Sequence, residues 1–266
     1  MRRAPELSAE DKQERVFRIF ETIAKGYDSA NVRISLGMQT GWKNMLIHEI
    51  ARSGNEIVDR MHRKRDRAAI AGRRIAPRRL RILDLCTGTG DIAIGAAKML
   101  PGAKVTGMDF SPSMLKVAAR KAKRSGQKAI RWRRGNAMKI PYRDGYFDIV
   151  SISFGLRNCA DPEQVLREIF RVLRPGGMMF CLESFVPDLV PVRPFYRLYF
   201  AHVMPRIGGG RAHREEYEWL QESTERFMRA GELADRMRAC GFEDVRMRRQ
   251  MMGACVLHSG SKRHIQ

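Results

Sequence analysis

Arg81-Ile-Leu-Asp-Leu-Cys-Thr-Gly-Thr-Gly-Asp91 joins a branched apolar run to a threonine- and glycine-rich turn, and an apolar helical stretch follows. The run reads as a buried strand and the turn as a place where a small molecule lies against bare backbone. Gly88 and Gly90 lack a Cβ, so they take positive φ and let a ligand approach closely. The helix expected from Asp91 aims its free N–H groups at the same spot, which suits a carboxylate or phosphate. A tight strand-to-helix turn with no ligand is the plainer alternative.

Gly88-Thr-Gly-Asp-Ile-Ala93 also satisfies the loose dinucleotide pattern G-x-G-x-x-G/A, with Asp109 at the ribose-binding distance. By itself the stretch does not separate NAD from S-adenosylmethionine. Both carry an adenosine whose ribose hydroxyls want a carboxylate at the end of the second strand.

The blocks downstream alternate. Residues 91–100 read as a helix that stops at Pro101-Gly102, 104–109 as a second strand, and Ser111-Pro-Ser-Met114 as a capped helix start. Residues 129–133 and 147–153 read as the third and fourth strands. A helix opens at Asp161-Pro-Glu-Gln164 and ends at Arg174-Pro-Gly-Gly177, before a fifth strand over 178–183. That alternation implies a parallel sheet covered on both faces. After residue 190 the rhythm changes to aromatic and helical material, then a helix over 230–240 and two strand-like runs at 244–247 and 254–258. A dehydrogenase would repeat its mononucleotide half here, so the ending counts against NAD.

Upstream, residues 8–25 read as a helix with Val16, Ile19, Phe20 and Ile23 on one face. Tyr27, Asp28 and Asn31 follow, placed either to close over a ligand or to cap helix ends. A second helical stretch surrounds 42–50. Residues 52–81 form an arginine-rich spacer with no interleaved aromatic residue, so stacking on bases is not indicated.

The 266 residues carry 50 basic against 29 acidic side chains, a formal charge of +21, with 44% hydrophobic residues. Such a balance favours polyanions, either nucleic acid or an anionic membrane face; an arginine-rich solvated surface is the bland reading. Five cysteines without a C-x-x-C pair point to a reduced cytosolic interior and no metal site. Neither a secretion signal nor a span of ~20 apolar residues is visible.

On these blocks the chain resembles the class I S-adenosylmethionine-dependent methyltransferases, and more narrowly the ubiquinone/menaquinone biosynthesis C-methyltransferases (the UbiE/MenG family). The resemblance rests on Tyr27-Asp28…Asn31 with Trp42-Lys43, on 83–91, on Gly135-Asn-Ala137 and on Ser153-Phe-Gly-Leu-Arg-Asn158. It continues through Arg171-Val-Leu-Arg-Pro-Gly-Gly177, His202-Val-Met-Pro-Arg-Ile-Gly208 and Tyr217-Glu-Trp-Leu-Gln-Glu-Ser223. Cys86 departs from it, standing where many methyltransferases have a glycine.

The resemblance implies an α/β fold: a seven-stranded, mostly parallel Rossmann-like sheet with a helical N-terminal lid (1–51), the basic spacer (52–80) and a core (81–266) bearing a cap insertion at about 187–230. It implies S-adenosyl-L-methionine as cofactor, with Gly88, Thr89 and Gly90 holding its methionine part. Asp109 would accept both ribose hydroxyls, Asn136 and Ala137 would frame the adenine, and Ser153 would close the site. The implied substrate is a polyprenyl quinol such as demethylmenaquinol, methylated on a ring carbon whose nucleophilicity rises as its neighbouring hydroxyl loses a proton. Arg157 is the candidate to stabilise that phenolate, with an ion pair that fixes its loop as the equal alternative, and Asn158 the candidate to position a hydroxyl. Water, Tyr27, Asp28 or His202 would be the base. The aromatic set from Phe195 to Phe227 would line an isoprenoid slot. An anionic membrane surface is the expected partner, nucleic acid the disfavoured one, and a homodimer stays open. Rival readings are an RNA or other small-molecule methyltransferase, against which no Asn/Asp-Pro-Pro-Tyr/Phe block is found, and a non-catalytic lipid binder.

Overall fold

The computed structural model describes residues 8–187 and 214–263. Its seven strands are β1 (Arg81–Leu85), β2 (Lys104–Asp109), β3 (Arg131–Arg134), β4 (Phe147–Ser153), β5 (Leu173–Ser184), β6 (Phe242–Gln250) and β7 (Cys255–Lys262). They form one sheet in the order β3-β2-β1-β4-β5-β7-β6. Pairing is parallel from β3 through β5, and β7 runs antiparallel to both its neighbours. The order reverses between β1 and β4, so the crevice beyond their carboxyl ends is where an open α/β sheet takes its ligand. The closing β6–β7 hairpin stands where a second mononucleotide half would begin, and the dinucleotide reading fails on that ground.

Eight helices are described: α1 (Ala9–Ile23), α2 (Tyr27–Ile34), α3 (Met38–Ile70), α4 (Asp91–Met99), α5 (Pro112–Arg124), α6 (Pro162–Val172), α7 (Arg214–Arg226) and α8 (Ala230–Ala239). Neighbouring residues of the central strands serve opposite layers. Leu83 and Val150 pack with α6 and α8, while Ile82 and Ile149 pack with α3 and α4. Strands buried on both faces read as continuous apolar runs, which is why 81–85 and 147–153 stand out in the sequence.

The two carboxylates inside those runs are both used. Asp84 accepts from Thr87 Oγ1 at 2.5 Å and Ser151 Oγ at 2.8 Å, and burial pushes its pKa up to about 7. At the other end of the sheet Asp148 takes both arms of the Arg78 guanidinium at 2.8 Å and the Arg81 N–H at 2.9 Å. It ties the incoming chain to β4.

Several elements differ from their sequence reading. α3 is one helix of 33 residues, so the boundary placed at 51/52 falls within it. Its second half is rich in arginine, a good helix former, and the absence of an apolar stripe hid its continuity. Only the last part of the spacer, residues 73–80, lacks regular structure. Tyr27 to Ile34 is helical and not a loop. β5 starts at Leu173 and takes in Arg174-Pro-Gly-Gly177, which reads locally as a turn. Of the expected cap, Phe195, Tyr196, Tyr199, Phe200 and His202 lie outside the described residues.

Candidate active site

A cavity of about 760 Å³ opens at the carboxyl ends of β1, β2 and β4. Its sheet-side wall is Gly88, Asp109 and Ser153, the turn after β3 supplies Gly135 to Met138, and α1 closes it from above with Val16 and Phe20. A smaller recess of about 320 Å³ shares Tyr27, Cys86, Gly88, Ser153 and Phe154 with it, and adds Gln39, Lys43, Thr89 and Asp91. Together they form an apolar chamber joined to a charged one.

The glycine turn divides its labour. Gly88 has φ +53°, and a Cβ there would meet nothing within 4 Å, so it would project into open space at the cavity wall. Gly90, at φ +85°, lines neither space: a Cβ there would strike Trp132 at 2.7 Å and Ala118 at 2.9 Å. Its expected role at the methionine end gives way to close packing of the helix start on α5 and β3. Cys86 holds φ +49° and Phe154 φ +53°, left-handed values that cost side-chain-bearing residues about 1–3 kcal/mol. A glycine would adopt the Cys86 conformation without that cost.

Asp109 is 5% exposed. Its Oδ2 accepts from the Gly88 N–H at 2.8 Å and its Oδ1 from the Ser111 N–H at 3.0 Å. Burial lifts its pKa to about 6 against those hydrogen bonds. Each oxygen keeps a lone pair, so the group is oriented yet still able to accept from a diol. Asn136 and Ala137 line the same cavity, with the Asn136 Oδ1 holding the Met138 N–H at 2.9 Å. Ser153 lines both spaces.

Thr89 sits in the recess inside a charged network. Its hydroxyl donates to Asp28 at 2.6 Å, and Lys121 reaches Asp28 at 2.5 Å and Thr89 at 3.2 Å. Asp91 takes Lys121 on one oxygen and Lys43, at 2.9 Å, on the other. Burial opposes ionisation of Asp91, but the two lysines outweigh it and hold the carboxyl below its usual range. Asp28 is therefore committed to Thr89 and Lys121, lines neither space, and is removed from the set of candidate bases. Tyr27 faces both spaces, and burial raises its pKa, so the phenol stays protonated and acts as a donor.

Arg157 lines neither space. It is 8% exposed, forms an ion pair with Glu183, itself fully buried, and donates to the Phe154 carbonyl at 3.1 Å. The expected contact with a phenolate is replaced by a pair that fastens the 154–158 turn from behind. Asn158 does line the cavity, its Nδ2 on the Phe154 carbonyl at 3.3 Å and its Oδ1 accepting from Trp219 Nε1 at 3.3 Å. Glu183 and Lys121 escape the sequence reading. The first ends an apolar strand and the second lies among many basic residues of α5, with no local signal for either.

α1 is latched over the cavity. Glu21 accepts from Ser111 Oγ at 2.5 Å and from the Ser113 N–H and Oγ at 3.0 and 2.8 Å, at the start of α5. Lys12 donates to the Cys159 carbonyl at 2.7 Å. Ser111 also caps α5 through Met114 N–H at 3.1 Å. Ser111→Ala loses cap and latch together. The expected result is a loss of about 1–2 kcal/mol in chemical denaturation, with faster proteolysis in α1; unchanged cleavage there would remove Glu21 from this role.

The residues fit an S-adenosylmethionine: bare backbone at Gly88, an oriented carboxylate for a diol at Asp109, an adenine-sized turn at 135–138, and paired charges in the recess. The sequence matches the ubiE/COQ5 methyltransferase family over residues 8–262. A demethylmenaquinone methyltransferase of Geobacillus stearothermophilus is 39% identical over 96% of this chain and 99% of that protein. The protein of the same name from Lactiplantibacillus plantarum is 39% identical over 92% and 94%. Among solved structures, an S-adenosylmethionine-dependent methyltransferase from Thermotoga maritima superimposes with TM-score 0.52 at 21% identity, covering 93% of this chain and all of that one. A Haemonchus contortus phosphoethanolamine N-methyltransferase bound to S-adenosylhomocysteine gives 0.53 at 15% identity, covering 71% and 50%.

Proposed function

Since the chain belongs to the ubiE/COQ5 methyltransferase family and is an S-adenosylmethionine-dependent methyltransferase, we propose that it methylates a ring carbon of a polyprenylated quinol, demethylmenaquinol, in menaquinone biosynthesis. The observation that carries this reading is the continuity of one chamber: Asp109 and Gly88 at the sheet, then Tyr27, Phe20 and Val16 beneath α1. A cofactor cleft that continues into an aromatic, aliphatic roof suits a flat apolar ring, and not a charged or sugar-phosphate acceptor.

S-adenosylmethionine, when bound, supplies an activated methyl group that carbon can accept. The chain's own residues do the rest. Asp109 orients the ribose, Asn136 and Ala137 flank the adenine, and the Lys43–Asp91 ion pair lines the recess that receives the amino-acid end. Tyr27, kept protonated by burial, donates its phenolic hydrogen to the ring oxygen and favours its ionised form. Asn158 holds a second ring hydroxyl. Arg157 works one layer back as a positioning residue, holding the Phe154 turn that carries Asn158. α1 keeps water from the ring, and such alignment of reactants at ~3–3.5 Å accounts for much of the rate in transfers of this kind. The proton of the ring hydroxyl leaves to water at the mouth, and after methylation the hydrogen on the same ring carbon passes by water to the ring oxygen and restores the aromatic ring. The described walls hold no carboxylate besides Asp109, which is engaged with the ribose.

No described helix is long and apolar enough to cross a membrane. We place the enzyme in the cytoplasm, meeting its substrate at the inner face of the membrane. With labelled methyl donor, label is expected in the quinone fraction when demethylmenaquinol is supplied and none in total RNA. Label in RNA alone would overturn the assignment.

A further inference from the structure

The arginine-rich spacer takes no part in the methyl-transfer site. It builds a second, larger groove of about 1480 Å³ between the last turns of α3, the segment ahead of β1 and the amino ends of β4 and β5. That is the edge of the sheet opposite the cofactor cleft. Arg60, Lys64, Arg65, Arg78 and Arg174 line it, and Asp148 is the carboxylate among its lining residues. Asp148 is already spent on Arg78 and on the Arg81 N–H. Arg65 also lies 3.9 Å from Asp66 and Arg174 3.9 Å from Asp148, yet five basic side chains against these two carboxylates leave the groove net positive. Burial, with Arg78 close by, pushes the Arg174 pKa down, in keeping with that crowding.

Two further features select the class of anion. The remaining walls are largely aliphatic, with Ile57, Met61, Ile75 and Pro77, and His62 is the one lining residue with an aromatic ring. A single-stranded nucleic acid held without base readout calls for a row of aromatic platforms, and His62 alone does not make one. Beside the groove, Ile70 is 88% exposed and Ile75 42% exposed, at the end of α3 and just beyond it. Clustered basic residues flanked by projecting aliphatic side chains are the pattern that binds acidic lipid surfaces: the charges meet phosphate and the aliphatics enter the acyl boundary.

We propose that this groove and the end of α3 form a docking surface for the phosphate headgroups of an anionic membrane. It is separate from the methylation site and acts as a tether. It shares no lining residue with the methylation cavity, so its charges can be altered without touching that site.

The test is co-sedimentation of the full chain, without quinol, on vesicles of phosphatidylcholine alone or mixed with phosphatidylglycerol. Binding is expected only with phosphatidylglycerol and is expected to weaken in high salt. Replacing Arg60, Lys64 and Arg65 by Gln removes three charges, each worth about a factor of five near an anionic surface, so affinity should fall on the order of a hundredfold. Ile70→Asp should weaken binding with the charges intact. Neutralising Arg120, Lys123 and Arg124 on α5, which are equally exposed, should change it less than threefold. Methylation of a short-tailed, water-dispersed quinol should be the same in every variant, which also shows that each folds. The proposal is overturned if the Arg60/Lys64/Arg65 variant binds vesicles like the parent, if the α5 variant loses as much, or if the parent ignores phosphatidylglycerol and binds RNA. Because no quinol is present, any of these results leaves the methylation reading standing.

Discussion

Asp109→Ala is expected to abolish binding of S-adenosylmethionine at any practical concentration, a loss of at least ~1000-fold or about 4 kcal/mol in calorimetry. Two losses combine. The ribose hydroxyls lose an ionised acceptor, and charge-assisted hydrogen bonds of this kind contribute about 1.5–3 kcal/mol each. The N–H groups of Gly88 and Ser111, now held at 2.8 and 3.0 Å, are left without their acceptor. The turn that exposes the Gly88 backbone then loses its anchor. Asp109→Asn keeps the shape and one acceptor, so it should fall between the two.

The pH dependence follows from the same group. Burial raises its pKa to about 6, and the ionised form is the one a diol prefers. Affinity should rise with pH up to that value and level off above it, falling roughly tenfold per unit below. Stability without ligand runs the other way. The ordinary carboxylate value lies near ~4, so between there and about 6 the folded state holds a proton that the unfolded state has released. Asp109's contribution to unliganded stability is therefore full at the acid end and lost as pH rises through that window. Undiminished affinity in Asp109→Ala, or a flat affinity profile across pH 6, would remove it from the ribose site.

What could be read beforehand was local. The strands 81–85, 104–109 and 147–153 and the caps at Ser111 and Asp161 are written within a few residues each, by apolar runs and by hydroxyl or carboxylate side chains ahead of proline. The cofactor wall was legible for the same reason, because a strand end and the turn after it carry both geometry and chemistry. The parts that stayed hidden depend on distant partners. Gly90 looked like Gly88, yet Trp132 and Ala118 decide its purpose. Arg157 reads in sequence equally as a ligand contact or as a loop-fixing ion pair, and only β5, bringing Glu183 beside it, decides for the pair. The length of α3 was obscured because its far half carries no apolar stripe and borders a basic groove, not a core.

Arg157→Ala is expected to have the second large effect, and the way it divides between stability and rate identifies the residue's task. Glu183 is fully buried and would lose the one cation paired with it, and breaking a buried pair from one side costs about 3–5 kcal/mol. Denaturant midpoints should drop accordingly. Replacing both members, Arg157→Leu with Glu183→Leu, removes the stranded charge, and paired apolar replacements of this kind are commonly neutral or better. Stability should return. Turnover should not, because the Phe154 carbonyl still lacks the donor that lay 3.1 Å away and Asn158 is held less firmly. We expect kcat to stay down by about a factor of ten to a hundred in the double variant, in the range for misplacing a substrate-positioning group, while cofactor affinity changes less than threefold. The pH–rate profile separates positioning from direct charge stabilisation. A guanidinium acting on the ring oxygen would lower the apparent pKa of the reacting hydroxyl, so its removal would shift the profile upward by a unit or more. With Arg157 facing Glu183 the profile should keep its position and lose only height. A shifted profile would restore Arg157 to the chemistry, and full turnover in the double variant would reduce the pair to a structural bond.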